Sequence, residues 1–179
     1  MEAIKAIMTR RSIRRFKGKA VEEKKIETLL RAAMQAPSAR NSQPWHFIVI
    51  TERELLCAIP EFHPYAKMLL QAPAAILVCG DTRIEESIEY INSNCSAATQ
   101  NLLLSAHDLG LGAVWLGIHP RERRVEEIRR LLNIPRYITP IALVALGYAA
   151  EDKEPEDKGP EERFQPQRVH RNRWENLES

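Results

Sequence analysis

The sequence predicts a layered fold in which helices cover both faces of a β-sheet. Helical and strand patterns alternate along most of the chain, and one strand, residues 74–80, is apolar throughout. A strand without polar positions is typical of a sheet that is buried on both faces. The alternation therefore favours an α+β or α/β class.

The first half of the chain is predicted to hold three helices and two strands. A short first helix, with Ile4, Ile7 and Met8 at helical spacing, ends at the basic residues that follow it. A second helix over 21–36 is stopped by a proline, and its apolar face consists of Ile26, Leu29, Leu30, Ala33 and Met34. Strands are predicted over 46–50 and 74–80, and a short helix over 66–71 lies between them.

The second half begins with the longest predicted helix, residues 85–109, which ends with Gly110 as its C′ glycine. Small side chains over 92–99 suit either burial within the subunit or a close contact between subunits. A strand over 113–118 and a final strand over 138–148 are also predicted. Between them lies an amphipathic helix over 121–132, with the charge pairs Arg123/Glu127 and Glu126/Arg130.

Composition divides the chain into a domain over 1–150, an acidic surface linker over 151–162 and a C-terminal arm over 163–179. The linker, EDKEPEDKGPEE, is too polar and proline-rich to hold a core. Large apolar side chains, Phe164 and Trp174, occur again in the arm. We therefore expect the arm to pack on the body of the domain or on a neighbouring subunit.

Charge, cysteines and hydropathy narrow the class of protein. The 26 basic and 24 acidic residues give a net charge of +2, which is too balanced for a dedicated nucleic-acid binder. Three cysteines without a CxxC motif indicate reduced thiols, and no segment reaches the ~18 apolar residues that span a bilayer. We expect a cytoplasmic protein without nucleic-acid or membrane partners.

The first candidate site is the basic run that contains Arg10, Arg11, Ser12 and Arg14. Guanidinium groups donate paired hydrogen bonds that match a phosphate, and the serine hydroxyl adds another polar group. A solvated basic surface is the alternative. This run is therefore a candidate anion site.

Two further candidates lie in a loop and at a strand end. The loop over 36–45, APSARNSQPW, carries amides and hydroxyls between prolines, which suits the edge of a heteroaromatic ligand, although an ordinary turn would look the same. Gly117, at a strand end, lets a ligand approach the backbone closely. The glycines around it do not match a dinucleotide-binding fingerprint.

The sequence offers no obvious nucleophile and no metal-ligand spacing. The five histidines form no set with cysteines or carboxylates, and the motifs GxSxG, HExxH and the P-loop are absent. Arginines suited to phosphate, without an acid–base signature, are typical of an enzyme that takes its reactivity from a cofactor.

Taken together, these segments resemble the nitroreductase family of flavin-dependent oxidoreductases. The resemblance is carried by RRSIRRF at 10–16, APSARNSQPWHFIVI at 36–50, AKMLLQAPAAILVC at 66–79, AATQNLLLSAHDLGLGAVWLGI at 97–118 and the terminal R…VHRNRW at 163–174. It implies an α+β layered sheet and an intertwined homodimer with two FMN sites at the interface. It also implies that the small-residue helix lies at that interface and that the arm reaches the partner subunit.

The resemblance assigns the charged end of FMN to arginines. Arg10 and Arg163 would bind the phosphate, with Arg168 as the alternative in the tail. Two neighbours of Arg10 in the basic run, Arg11 and Ser12, would line the same part of the site.

The same resemblance assigns the flavin ring to three other segments. Arg14 and Lys67 would reach the pyrimidine edge of the ring, where cations stabilise the reduced form. The backbone N–H groups of Leu116 and Gly117 at the strand end would face the N5/O4 side, with Trp115 beside them in the cofactor site. The second subunit would contribute the loop residues Pro37, Ser38, Asn41 and Gln43.

The implied activity is FMN-dependent oxidoreduction by a ping-pong cycle. NADPH or NADH delivers a hydride to flavin N5 and leaves, and a small-molecule acceptor such as a nitroaromatic or a quinone then takes the electrons. No side chain is expected to be catalytic, since the chemistry takes place on the flavin. The alternatives are dehydrogenation, dehalogenation or flavin fragmentation on the same cofactor, and then a non-catalytic flavin- or ligand-binding module.

Two departures from the family pattern bear on specificity. Several family members have an acidic residue facing N5, whereas this strand reads Trp115-Leu116-Gly117. The segment 51–73 is short for a lid, so we expect an open pocket or one completed by Phe62, His63 and Tyr65. Either arrangement predicts tolerance of many acceptors.

Overall fold

A computed structural model describes residues 2–150 and 162–174 of the chain. The helices are α1 (Ala3–Thr9), α2 (Glu23–Met34), α3 (Arg53–Phe62), α4 (Ile88–Asp108) and α5 (Glu122–Leu131). The strands are β1 (Trp45–Ile50), β2 (Ala74–Asp81), β3 (Gly112–Gly117) and β4 (Ile138–Gly147). Short 3₁₀ turns cover Ala39–Asn41, Lys67–Leu70 and Pro166–Arg168.

The strand directions assign the fold to the α+β class. The sheet has the order β1-β2-β4-β3, and each neighbouring pair is antiparallel. Every residue of β2 is buried, as its apolar run predicts, because β2 is a central strand. The strands β1 and β3 are the two edges, and at ~4.8 Å per strand spacing they lie about 14 Å apart.

Helices cover both faces of the sheet, which confirms the layered prediction. Along β2 the side chains alternate between the two faces. Ile76 and Val78 pack in one core with α2 and α4, while Leu77 and Cys79 pack in another with α3 and α5. All three cysteines are free thiols. None of the helices described in residues 2–150 and 162–174 is long and apolar enough to cross a membrane.

Helix α4 ends with Gly110 at its C′ position, as the sequence predicts. Gly110 has a φ of 72° and follows the C-cap residue. The amide of Leu111 donates to the carbonyl of Ala106 at 2.8 Å, and the amide of Gly110 donates to His107 at 3.1 Å. This is a Schellman arrangement, in which a left-handed residue turns the chain from α4 into β3.

Three details differ from the sequence expectations. Helix α3 was not predicted, although Leu56 and Ile59 bury its inner face completely. Met34, expected on the buried face of α2, is 49% exposed. The predicted charge pairs of α5 are wrong: the structure pairs Arg129 with Glu126 and Arg130 with Glu127, since residues three apart are also neighbours on a helix.

The large apolar side chains in the described part of the C-terminal arm are exposed. Phe164 and Trp174 are 69% and 80% exposed, and the Trp174 ring stacks on His170 with a centroid separation of 4.2 Å. The predicted linker lies outside the described residues except for Glu162, which is exposed. Docking of the arm on a neighbouring subunit stays a prediction.

Replacing Gly80 with alanine is expected to lower the free energy of unfolding by about 1–3 kcal/mol. Helix α4 lies so close to β2 that an added Cβ would be 2.3 Å from Cγ2 of the buried Ile91. Urea denaturation measures the change. Gly18→Ala is the matched control, since a Cβ there meets nothing within 4 Å. Equal stabilities of the two variants would contradict the expected close packing.

Candidate functional site

The basic run is held against the free edge of β3. The amide of Ile13 donates to the carbonyl of Ala113 at 3.0 Å, and Ser12 pairs with Ala113 in a parallel bridge. Phe16 pairs with Ala149 and is buried in the core on the α3/α5 face of the sheet. These contacts place the arginines on either side of Ser12 beside an edge strand.

Three arginines gather near the end of α1. Arg10 and Arg11 line a cavity of about 160 Å³ between α1, α4 and the start of β3. Burial lowers the pKa of Arg10, and the nearby charges of Arg11 and Arg163 lower it further. The structure therefore brings the predicted tail arginine, Arg163, close to Arg10, while Arg168 lies exposed on the last 3₁₀ turn.

Arg11 also contributes to the local structure of this end of α1. Its Nη1 donates to the carbonyls of Met8 and Arg10, each at 3.0 Å. A cation over the last carbonyls of a helix is favoured by the helix dipole. Its guanidinium is thereby fixed beside Arg10, and an anion bound in the cavity would relieve the repulsion between the clustered charges.

A second cavity, of about 390 Å³, lies along the rest of β3. Its wall contains four of the predicted residues: Arg14, Trp115, Leu116 and Gly117. A Cβ added to Gly117 would meet nothing within 4 Å, so the backbone at this strand end faces open space. Lys67 is exposed and precedes Met68, which lines the same cavity.

The pleat of β3 decides which backbone groups face this cavity. The carbonyl of Ala113 accepts from Ile13, so it faces the free edge, whereas the amide of Ile118 donates to Ile141 next to β4. With a period of two, the backbone groups of Trp115 and Gly117 face the free edge. The amide of Leu116, which the resemblance directs toward the flavin, instead faces β4, so Leu116 offers only its side chain to the cavity.

His63 and Arg124 meet at the carbonyl that ends β3. The carbonyl of Gly117 accepts from His63 Nε2 at 3.0 Å and from Arg124 Nη1 at 2.8 Å. Burial, and next the charge of Arg124, lower the pKa of His63, which is 1% exposed. A neutral His63 that donates through Nε2 leaves Nδ1 as an acceptor, and Nδ1 is buried with no hydrogen-bond partner among the described residues.

Arg124 is the site residue that the sequence analysis missed. It lies in the first turn of α5, where the sequence pattern indicates only an amphipathic surface helix with paired charges. No local motif marks it, because its role depends on the approach of α5 to the end of β3. Of the three residues expected to complete the pocket, His63 and Tyr65 line it, whereas Phe62 packs against the core on the α3/α5 face of the sheet.

The polar loop lies at the opposite edge of the sheet, before β1. Ser38 Oγ accepts from the amide of Gln43 at 3.0 Å, and Gln43 Nε2 donates to Asn41 Oδ1 at 2.8 Å. The amide of Ala39 donates to Asn94 Oδ1 of α4 at 3.0 Å, which fixes the loop on that helix. Asn41 and Gln43 have positive φ values of 56° and 48°.

One chain does not bring the loop and the β3 edge together. Pro37, Ser38, Asn41 and Gln43 line neither of the two cavities. The loop precedes β1 and the basic run lies against β3, and these strands are the two opposite edges of the sheet. Residues 2–150 and 162–174 also contain no group of three His, Cys, Asp or Glu side chains that could hold a metal ion.

An antiparallel sheet between two helical layers, with cationic cavities along one edge strand, defines the class of protein. Residues 7–71 and 60–148 match the Nitroreductase family, and the chain belongs to this family, as the sequence resemblance indicated. A Methanothermobacter thermautotrophicus protein, provisionally named NADH dehydrogenase/NAD(P)H nitroreductase, is 48% identical over 174 residues, covering 97% of this chain and 88% of that protein.

Solved structures show the same fold. A Bacteroides thetaiotaomicron protein with the same provisional name has a TM-score of 0.88 at 40% identity, covering 96% of this chain and 98% of the other. An FMN-dependent nitroreductase from Clostridium difficile has a TM-score of 0.83 at 29% identity, covering 96% and 99%. An iodotyrosine deiodinase from Thermotoga neapolitana is a more distant relative, 26% identical over 169 residues, covering 80% and 87%.

Proposed function

We propose that this protein is an FMN-dependent oxidoreductase that uses NADPH or NADH to reduce nitroaromatic or quinone acceptors in a ping-pong cycle. The observation that carries the proposal is the succession of cations along β3. The cluster of Arg10, Arg11 and Arg163 lies at one end, and the larger cavity with Arg14 follows it. A similar protein of known fold is an FMN-dependent nitroreductase, which supports the choice of cofactor.

The residues present fit FMN in both charge and shape. Burial, and next the charges of Arg11 and Arg163, lower the pKa of Arg10, and a bound phosphate would stabilise its cationic form. Gly117 leaves room at the strand end for a ring system. When bound, FMN supplies the hydride and electron transfer, which the amino-acid side chains cannot supply.

The chain's own contribution is binding and electrostatics. Arg14 on the cavity wall, with Lys67 nearby, would stabilise negative charge at the ring edge. The free-edge amides of Trp115 and Gly117 would donate to acceptor atoms of the ring. Trp115 and Leu116 would exclude water from one side of it.

The proposal includes a cytoplasmic homodimer whose partner completes each site. The loop with Ser38 and Gln43 lies too far from β3 to serve the cavity of its own chain. The outer face of α1 exposes Ile4 and Ile7, and the arm exposes Trp174, which are apolar surfaces that a second copy would cover. We propose that α1, the small-residue helix α4 and the arm form the contact.

The second candidate function is reductive dehalogenation on the same cofactor. It is favoured by the similarity to an iodotyrosine deiodinase. The open cavity along β3 would leave room for either type of substrate. Acceptor profiling with nitroaromatics, quinones and halogenated phenols, each with NADPH and NADH, separates the two functions.

The proposal is tested by loading the purified protein with excess FMN and then removing free flavin by gel filtration. We expect one flavin per subunit, dimers in solution, and oxidation of NADPH or NADH that depends on an added nitroaromatic or quinone. A protein that stays colourless, or one that binds flavin without oxidising either nicotinamide, would contradict the proposal.

A further inference from the structure

Arg124 is a half-buried cation without an acidic partner among residues 2–150 and 162–174. Its Nη1 donates to the Gly117 carbonyl at 2.8 Å, and its guanidinium lies 5.6 Å from the centroid of the Tyr65 ring. The ion pairs within α5 are formed by other arginines, Arg129 and Arg130. One hydrogen bond to a neutral carbonyl leaves most of the guanidinium donors of Arg124 available for a ligand.

The position of Arg124 is not explained by the stability of α5. A helix N-terminus favours negative charge, yet the first residues of α5 and its cap contain Arg121, Arg123 and Arg124 against the single Glu122. This end of the helix therefore carries an excess of positive charge beside the cavity. A bound anion would be stabilised both by the side chain and by the helix end.

Among the residues that the structure describes, none of those in the cavity wall carries a carboxylate. Its ionisable side chains are Arg14, Arg124, His63 and Tyr65, and the rest are apolar or glycine. Because the pKa of His63 is lowered, this residue adds no charge at neutral pH. The cavity is therefore cationic and partly aromatic, a combination that suits an aromatic ligand with an anionic group.

The two arginines of the wall lie at different ends of β3. Arg14 follows Ile13, which is bonded to Ala113 near the start of the strand, whereas Arg124 is bonded to Gly117 at its end. At ~3.3 Å per residue, Ala113 and Gly117 lie about 13 Å apart. The proposed cofactor uses the charge of Arg14 and the free-edge amides of Trp115 and Gly117. The guanidinium of Arg124 is not assigned to the cofactor and remains for the substrate.

We infer that Arg124, supported by the ring of Tyr65, binds an oxyanion of the acceptor, and that the preferred acceptors are aromatic compounds that carry a carboxylate. This inference rests on the proposed function and names its substrate class. The 2′-phosphate of NADPH is another oxyanion that could reach a guanidinium, so the test compares both sources.

The test uses 4-nitrobenzoate and 4-nitrobenzamide, which have nearly the same shape and differ in charge. With the FMN-loaded protein we expect kcat/KM to be about tenfold higher for the carboxylate, in the range of one charged hydrogen bond. Arg124→Gln should reduce this ratio to about one through KM, and Arg124→Lys should restore part of it. Arg123→Gln, an exposed neighbour on the same helix, is the matched control and should keep the ratio.

A second measurement does not depend on turnover. Calorimetric titration with 4-nitrobenzoate should give a Kd about tenfold weaker for Arg124→Gln than for Arg123→Gln. If flavin is not retained, the titration is made on the protein as purified, and the same ratio of Kd values is expected. Equal Kd values for the two variants would overturn the inference.

The outcomes separate this inference from the proposed function. Reduction of both acceptors at equal kcat/KM, or a ratio that survives in Arg124→Gln, overturns the role of Arg124 and leaves the oxidoreductase intact. Arg124→Gln could instead lose a preference for NADPH over NADH while the acceptor ratio stays unchanged. That result assigns Arg124 to the 2′-phosphate and also overturns its role in binding the acceptor. Absence of flavin and of turnover contradicts the proposed function instead.

Discussion

Replacing Arg10 with glutamine is expected to weaken FMN binding about ten- to a hundredfold, since a hydrogen bond between charged groups contributes about 1.5–3 kcal/mol. The flavin-free protein should not lose stability. Burial and the charges of Arg11 and Arg163 already disfavour the cationic form of Arg10 in the fold, so its removal relieves repulsion. Quenching of flavin fluorescence measures the Kd, and urea denaturation without flavin measures the stability.

The matched control for this prediction is Arg15→Gln. It removes the same charge from the same basic run, but Arg15 is exposed and lines neither cavity of the proposed site. We expect a Kd for FMN within about twofold of that of the original protein, because an exposed charge outside both cavities is largely screened by salt. Equal losses in the two variants would show that only the general charge of the run matters and that Arg10 has no phosphate contact.

Most of the fold could be predicted because most of its helices and strands are marked by local sequence patterns. The unbroken apolar run of β2 and the small-residue helix that ends at Gly110 follow from burial and from backbone conformation. Helix α3 could not be predicted in the same way. It is short and contains Pro60 in its last turn, and its position depends on the hydrogen bond from Arg53 to the carbonyl of Ala72 at 2.9 Å, a contact between distant segments.

In the candidate site, too, residues whose roles depend on contacts between distant segments could not be predicted from the sequence. Arg10, Arg14 and Gly117 could be selected from the sequence because their residue types and neighbours are distinctive. Arg124 could not, because a basic residue on an amphipathic helix is usually a solvated charge, and only the approach of α5 to β3 turns it toward a cavity. The separation of the polar loop from β3 likewise depends on strand order, which local patterns do not determine.

Because the polar loop and β3 lie at opposite edges of the sheet, we expect a second large effect on flavin binding. It should be seen in dimers that combine two different variant chains. One chain carries Arg10→Glu, which destroys its cation cluster. The other carries Asn41→Gly and Gln43→Gly, which remove the loop amides while glycine keeps the positive φ at both positions. If each site combines the β3 edge of one subunit with the loop of its partner, both homodimers should bind little flavin.

An equimolar mixture of the two chains, unfolded and refolded together, should recover about one quarter of the original flavin content. Random pairing makes about half of the dimers mixed, and each mixed dimer has one site with both defects and one with none. Were the edge and the loop of a single subunit to form each site, every site in a mixed dimer would carry one defect, and no flavin would be recovered. Flavin absorbance per subunit, with native mass spectrometry to count the mixed dimers, distinguishes the two arrangements. Recovery in the mixture would require that the β3 edge and the loop of one FMN site come from different chains.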